Sequence, residues 1–387
     1  MKIAIVSGDD CGGQDFTDLC AALSVRGHEV TAYVRQPARR PAKVTDRGCR
    51  AVGIRVGPAV PSDPGVLPFV GEWAGALERL WSSDRPDIVH AYGWLGGLAA
   101  QLAARLHDLP TVQTFQGPVA GSRPRYAGSP SDKTERDRIE PLLARNAAWV
   151  TVESSTDIPA LARLRRGRAR VSVLTGGVDA EQYTPVGPPL ARTGLHRVLC
   201  LAPNPLSANG FDITIRAMPK APGTELVVAE TDTSNPGHHQ ARAVLKSLAA
   251  ELRVADRVHF VGTVAGEQLP MLLRSADVVA CTPRQPPRAE SVLQAMASGV
   301  AVVALPVGVL VDLVVDSVTG VVLSTDNPNE LAVALRSLTA QRFRCQGMGA
   351  AGRSRALSRF TWDRIALDSL NIYRQLSSQC PLQPTGV

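Results

Sequence analysis

Short runs of apolar residues alternate with helical patterns along the chain. The run KIAIVS at 2–7 is followed by leucines at helical spacing and then by EVTAYV at 29–34. Unbroken apolar runs of roughly four to eight residues are typical of strands that helices cover on both faces of a parallel sheet. The opening therefore predicts a βαβ unit whose first loop is DDCGGQ.

This alternation of apolar runs and helical patterns is interrupted once and then resumes. The segment TPVGPPLARTGLHR at 184–197 is rich in Pro and Gly and has no periodicity, which is typical of a linker. Strands that alternate with helices on both sides of it predict two doubly wound α/β domains, which bind ligands at the carboxyl ends of their strands. The predicted strands before the interruption also include DIVHAY, TVQTF, WVTVES and RVSVLTGGV, and those after it are RVLCLA, ELVVAE, RVHFVG, DVVACT and AVVALP.

These patterns predict four segments. A first α/β domain spans 1–184, a linker 185–197, a second α/β domain 198–358, and a closing helix with a tail 359–387. The closing helix, FTWDRIALDSLNIYRQL, carries its apolar residues near one stripe. We expect that stripe to pack back on the first domain.

The composition agrees with an ordinary globular protein of more than one core. The chain has 387 residues and is 44% hydrophobic. Its start resembles no secretory signal, and the longest apolar tract, 300–311, is interrupted by Pro306 and Gly308, so we expect a cytoplasmic location. Seven scattered Cys without a CxxC pair predict core-filling thiols and no metal site.

The net charge of +7 comes mainly from arginine and concentrates in runs at 35–43 and 163–170. Such runs suit an anionic membrane surface or nucleic acid, or simply form a solvated face. Because no aromatic residues interleave them as a stacking surface requires, the solvated face is favoured and no nucleic-acid partner is expected. Peripheral contact with a membrane stays open.

Seven stretches in a fixed order carry a family resemblance: CGGQ, RPDIVHAYGWLGGLAA, VQTFQG, TGGVDAEQYTP, NGFDITIRAMP, LPMLLRSADVVACTP and LQAMASGVAVVA. Together they resemble the retaining GT-B glycosyltransferases of family 4, in an actinobacterial-like form, over about residues 1–376. The resemblance implies two Rossmann-like domains facing a cleft, and transfer of a hexose with retention. It implies no cofactor beyond the co-substrate, a UDP- or GDP-hexose held mainly by the second domain. The acceptor, lipid-linked or not, would lie mainly on the first.

The resemblance also implies where the donor contacts should lie, and this chain carries other residues there. The family's diphosphate-binding Arg and Lys fall on Asn204 and Asn209. Its paired glutamates, which hold the sugar and the ribose, fall on Pro286 and Gln294. The phosphate-facing helix opens on Glu290, whose carboxylate would repel a diphosphate. Since hydrogen bonds to charged groups contribute roughly 1.5–3 kcal/mol each, donor binding should be weakened.

The first domain is altered in the same way. The family's His at the end of the TVQTF strand, which meets the transferred sugar, falls on Gln116, and a frequent second His falls on Tyr92. His90 ends an apolar strand, where a core histidine is favoured over an acceptor-side catalytic base. Gln116 therefore joins Asn204 and Asn209 as a substituted catalytic position.

Two loops offer further candidate contacts. In the first loop Gly12 and Gly13 allow close approach of a ligand and Gln14 begins the next helix, although a plain tight turn explains them as well. In the loop before Glu290, the side chains of Arg284 and Arg288 either reach a donor phosphate or face solvent. The solvent-facing interpretation is favoured by loop composition.

Two functions remain open from the sequence. One is a glycosyltransferase with an eroded donor site and weak activity or an uncommon donor. The other is a catalytically silent relative that binds a sugar, a nucleotide or a protein partner. An epimerase-like GT-B enzyme would need a carboxylate-rich cleft, which the substitutions disfavour.

Overall fold

The computed structural model of the 387-residue chain describes residues 1–8, 14–36, 49–58, 63–117, 134–167, 169–232, 236–264 and 266–378. The chain divides into two compact units. The first unit consists of Met1–Thr175 together with Trp362–Val387, and the second of Gly176–Thr361. The second unit thus begins before the boundary predicted at 184.

The first unit is built on a parallel sheet in the order β3-β2-β1-β4-β5-β6-β7. Alternate residues of each strand face opposite sides, so that Ala4 and Val6 enter one core and Ile3 and Ile5 the other. The strands are β1 (Lys2–Ser7), β2 (Glu29–Gln36), β3 (Arg50–Arg55), β4 (Ile88–Tyr92), β5 (Thr111–Phe115), β6 (Trp149–Val152) and β7 (Val171–Val173).

Helices cover both faces of this sheet. The larger core contains two fully buried tryptophans of α3, Trp73 and Trp81, which pack with the apolar side chains of α4. The helices are α1 (Gln14–Val25), α2 (Asp63–Val66), α3 (Val70–Ser83), α4 (Trp94–Arg105), α5 (Glu135–Asn146) and α6 (Ile158–Arg165).

The second unit repeats the arrangement with a parallel sheet in the order β10-β9-β8-β11-β12-β13. Val198 and Cys200 face one core, and Leu199 and Leu201 face the other. The strands are β8 (His196–Ala202), β9 (Thr224–Glu230), β10 (Val258–Thr263), β11 (Val278–Cys281), β12 (Ala301–Ala304) and β13 (Gly320–Val322). Because β8 begins at His196, the end of the predicted linker already belongs to the sheet.

The helices of the second unit flank this sheet. They are α7 (Phe211–Ala217), α8 (Pro236–Glu251), α9 (Gln268–Ser275), α10 (Glu290–Ala297), α11 (Leu310–Leu313), α12 (Pro328–Ala340) and α13 (Arg342–Arg359). Helix α10 is almost wholly buried apart from its first two residues. It positions the loop that precedes it.

The last helix, α14 (Trp362–Ser377), returns to the first unit and confirms that prediction. Its buried residues Ile365, Leu370 and Tyr373 share a core with Leu19 and Leu23 of α1. Burial of an apolar stripe of this kind is the main source of helix stability in a protein.

The sequence predicted the doubly wound fold correctly but not every strand. The eleven strands named from the sequence are present, whereas β3 and β13 were not predicted. Within the described ranges, no helix is both long and apolar enough to span a bilayer. The cytoplasmic location stays a prediction.

Candidate functional site

The second unit has a topological switch point between β8 and β11. From β8 the chain proceeds to β9 and β10 on one side, and β11 leads to β12 and β13 on the other. The segments that follow β8 and β11 lead to helices on opposite faces of the sheet, α7 and α10, and open α/β sheets bind ligands at such a point. We call these segments, 203–212 and 282–290, the switch loops; each includes the start of the helix that follows it.

Two neutral side chains in the first switch loop bind each other. The Asn209 amide nitrogen donates to the backbone oxygen of Asn204 at 2.9 Å and to its side-chain oxygen at 2.8 Å. That same side-chain oxygen accepts the Leu206 N–H at 3.2 Å. Asn204 and Asn209 thus hold the loop in shape, and neither supplies a positive charge.

The switch loops touch through their backbones at Gly210. This residue has a φ of +69°, and a Cβ added to it would lie 1.8 Å from the backbone oxygen of Thr282. The Thr282 hydroxyl in turn donates to the Gly210 oxygen at 3.0 Å. Only glycine combines this backbone conformation with this close approach.

Arg284 ties the second switch loop to the first. Its guanidinium makes two parallel hydrogen bonds to Asp212, Nη1 to Oδ1 at 2.7 Å and Nη2 to Oδ2 at 2.8 Å. Nη1 also donates to the Ser207 oxygen at 2.9 Å, and the Arg284 backbone N–H donates to the Ala208 oxygen at 2.8 Å. Partial burial acts to raise the pKa of Asp212, but the hydrogen bond and charge of Arg284 outweigh it and the pKa is lowered.

Helix α10 carries the next two predicted contacts. Gln294 is only 5% exposed, and its amide nitrogen donates to Glu290 Oε1 at 3.0 Å. Its side-chain oxygen is buried and has no hydrogen-bond partner in the described part of the chain. Glu290, the last residue of the second switch loop and the first of α10, is exposed.

Two further residues of the second switch loop have different surroundings. Pro286 packs against Gly308, where an added Cβ would lie 2.6 Å from the proline Cβ. The proline ring therefore fills space beside the backbone, and its side chain offers no polar group. Arg288 is half-buried and lies two residues before the start of α10.

In the first unit, His90 is the centre of a buried hydrogen-bond network. Its Nδ1 lies 2.6 Å from the Tyr373 hydroxyl and its Nε2 lies 2.6 Å from the Thr114 hydroxyl, which is itself 2.6 Å from the Thr151 hydroxyl. The ring also stacks on Tyr92 with centroids 4.5 Å apart. Burial lowers the pKa of His90 to about 3, so the ring is neutral. This geometry favours the core interpretation of His90 over an acceptor-side base.

Gln116 lies at the carboxyl end of β5, beside a residue that sequence reasoning missed. Because Phe115 pairs with Val152 at the ends of β5 and β6, Gln116 and Glu153 are the first residues beyond these adjacent strands. The Gly117 N–H donates to Glu153 Oε2 at 3.2 Å, and Arg136 donates to the Gln116 backbone oxygen at 3.2 Å. Burial raises the pKa of Glu153 to about 7, although the Gly117 hydrogen bond opposes the rise. The only sequence signal was a carboxylate directly after the apolar run WVTV.

The remaining predicted contacts are those of the first loop. Gly12 and Gly13 lie outside the described residues, and Gln14 is the first residue of α1. The switch loops, in contrast, bring together Asn204, Asn209 and Arg284 as described above. His90 and Tyr92 also lie together, at the end of β4.

The fold of the two units is that of the GT-B glycosyltransferases. Sucrose-phosphate synthase of Thermosynechococcus elongatus superimposes with a TM-score of 0.82 at 21% identity, covering 98% of this chain and 99% of that one. Anabaena HepE in complex with UDP and glucose gives a TM-score of 0.74 at 18% identity, covering 97% and 99%. At these identities the likeness establishes the fold.

Sequence comparison establishes the family. Residues 12–177 match the glycosyl transferase 4-like domain, and residues 200–355 match the glycosyl transferases group 1 domain. D-inositol 3-phosphate glycosyltransferase of Xylanimonas cellulosilytica is 32% identical in an alignment 397 residues long, which covers 96% of this chain and 94% of that protein. The chain therefore belongs to the family of glycosyltransferases that is defined by these two domains.

Proposed function

We propose that this protein transfers a hexose from a UDP- or GDP-sugar with retention, as a family 4 enzyme, and that it does so slowly. The donor nucleotide would bind in the second domain, 198–358, and the acceptor in the first, 1–184. Membership of the glycosyltransferase family supports hexose transfer. The low rate is carried by the pair of Asn204 and Asn209, which bind each other beside the switch point, at the positions where the resemblance implies diphosphate-binding cations.

The low rate follows from the charge that this pair lacks. Negative charge builds on the diphosphate as the glycosidic bond breaks, and preorganised cations stabilise it. Two amides offer dipoles but no net charge. Arg284 and Arg288 are the cations of the switch loops, and Arg284 is already bonded to Asp212. The remaining donor contacts would be Gln294 to the ribose, Pro286 beside the sugar and Glu290 near the phosphates.

The relatives support the choice of substrate class. HepE is described in complex with UDP and glucose, and the Xylanimonas relative is named a D-inositol 3-phosphate glycosyltransferase. A nucleoside diphosphate donor and a hydroxyl-bearing acceptor are therefore the first compounds to test. Gln116, Tyr92 and Glu153 are the acceptor-side candidates, and a lipid-linked acceptor at a membrane surface is included in the proposal.

The direct test is calorimetric titration with UDP, GDP and ADP at low salt, followed by a donor panel. Weak binding of UDP or GDP, with a dissociation constant in the high micromolar range, and slow release of that nucleotide from its hexose donor are expected. Proton NMR of the product should then show that the anomeric configuration of the donor is kept. Absence of heat and of a thermal shift at millimolar nucleotide would contradict donor use.

A second candidate function is a silent member of the family that acts through a protein partner. It is favoured by one observation, that the described ionisable side chains of the switch loops include two acids as well as two arginines. Such a protein would bind its partner with equal affinity with and without nucleotide. The titration above separates the two functions.

A further inference from the structure

The ionisable residues of the switch loops balance one another. Within 203–212 and 282–290 they are Asp212, Arg284, Arg288 and Glu290, two acids and two bases. Their net charge is zero, so together they give a diphosphate no net attraction. Whether an anion binds there depends on which groups these arginines already hold.

Arg284 holds Asp212 in the geometry that it would use for a phosphate. A guanidinium offers parallel N–H groups that match either a carboxylate or a phosphate in a bidentate pair. Here Nη1 and Nη2 bind the two oxygens of Asp212 at 2.7 and 2.8 Å. The Arg284 side chain is 34% exposed and that of Asp212 24%, so the pair is open to exchange with a dissolved anion.

The backbone keeps the guanidinium in place when its partner changes. Arg284 is held by its N–H on the Ala208 oxygen and by Nη1 on the Ser207 oxygen. These contacts are to the backbone oxygens of Ser207 and Ala208 and do not depend on the Asp212 carboxylate. Loss of the carboxylate therefore leaves the guanidinium beside the switch point.

We propose that Asp212 sets the affinity for the donor, because its carboxylate occupies the Arg284 guanidinium that would bind the diphosphate. Donor binding then requires Arg284 to exchange a carboxylate for a phosphate. The inference rests on the proposed function. It adds a residue that the sequence analysis did not consider, and it makes the weak donor site a property of a contact within the chain.

The test is the isosteric variant Asp212→Asn, titrated with UDP, GDP and inorganic pyrophosphate. We expect its dissociation constants to fall by roughly 5- to 30-fold, the ratio that corresponds to losing one competing charged contact. The added variant Arg284→Gln should remove that gain. Asp256→Asn is the matched control, since it changes the charge equally on an exposed residue before β10, at the other end of the sheet. Asp212→Ser serves if the amide variant does not fold.

The titrations test the role of Asp212 and the use of a nucleotide donor separately. If the wild type binds nucleotide and Asp212→Asn binds it equally well, the inference is wrong and the proposed function stands. If pyrophosphate binds more tightly to Asp212→Asn but no nucleotide binds to either protein, the exchange is supported and nucleotide use is contradicted. If neither protein binds any of these ligands, both proposals are overturned.

Discussion

The polar groups around His90 and those of the switch loops are held in opposite ways. His90 has no exposed surface, and both its ring nitrogens are bonded within the first unit. Arg284 and Asp212 bind each other in the second unit but remain partly exposed. A dry network resists substitution because each lost bond leaves a buried polar atom, whereas an exposed pair can exchange its partner for a ligand. In these two places, burial thus separates a structural network from a pair that can exchange its partner for a ligand.

The largest effect should come from Gly210→Ala in the switch loops. The new Cβ would lie 1.8 Å from the Thr282 oxygen, and the residue would keep a φ of +69°. We expect a loss of unfolding free energy on the order of 3–5 kcal/mol, the range of severe single substitutions. Urea unfolding measures it.

Gly223→Ala is the control for this prediction. Gly223 has a similar φ of +75°, but an added Cβ there meets no atom within 4 Å. Gly223→Ala should lower the free energy of unfolding only by the cost of placing alanine in a left-handed backbone conformation, about 1 kcal/mol. Equal losses for the two variants would mean that the contact between the switch loops does not limit stability.

Glu153 should make the stability of the first unit depend on pH. Its pKa of about 7 in the folded chain exceeds the ordinary 4.5, so the folded state binds more protons between these values. Stability must therefore fall as the pH rises through this window. Between pH 5 and pH 8, the free energy of unfolding of the wild type should fall by about 2 kcal/mol more than that of Glu153→Gln.

Unfolding at the two pH values checks this, with Glu72→Gln as the control. Glu72 is an exposed carboxylate on α3, so Glu72→Gln measures the effect of removing a glutamate elsewhere in the first unit. If Glu153→Gln and the wild type lose stability in parallel, Glu153 titrates near its ordinary value and its site is wetter than we infer.

Tyr373→Phe tests the closed network of the first unit. The change removes the hydroxyl that lies 2.6 Å from His90 Nδ1 and leaves that nitrogen buried without a partner. We expect a loss of about 1–2 kcal/mol in unfolding free energy. Nucleotide affinity should be unaffected, and a matching loss of affinity would place the His90 network in the ligand site.

The sequence was sufficient to predict the strands that are apolar and buried. Strand β3, RAVGIR, and strand β13, GVV, escaped prediction because charged residues or glycine interrupt one and the other is only three residues long. The closing helix was predicted from its apolar stripe, and that stripe is buried.

The candidate site was less predictable, because its contacts join distant segments. Arg284 and Asp212 are separated by 72 residues, and they meet because β8 and β11 are neighbours in the sheet. Gly117 and Glu153 meet through the pairing of β5 with β6 in the same way. No local pattern encodes such a pairing, so only the topology could reveal it.

The smallest effect should come from restoring the family's charges with Asn204→Arg and Asn209→Lys. Both positions are half-exposed, so solvent screens the added charges and the gain should be modest, about tenfold in the dissociation constant of UDP or GDP. The double variant also loses the hydrogen bonds between the two asparagines. Asn204→Gln with Asn209→Gln provides the uncharged control for that loss. A gain confined to the charged variant would mean that the switch loops still form a diphosphate site and lack only its cations. No gain would mean that the loop geometry itself has changed, and the silent function would then be the better account of this protein.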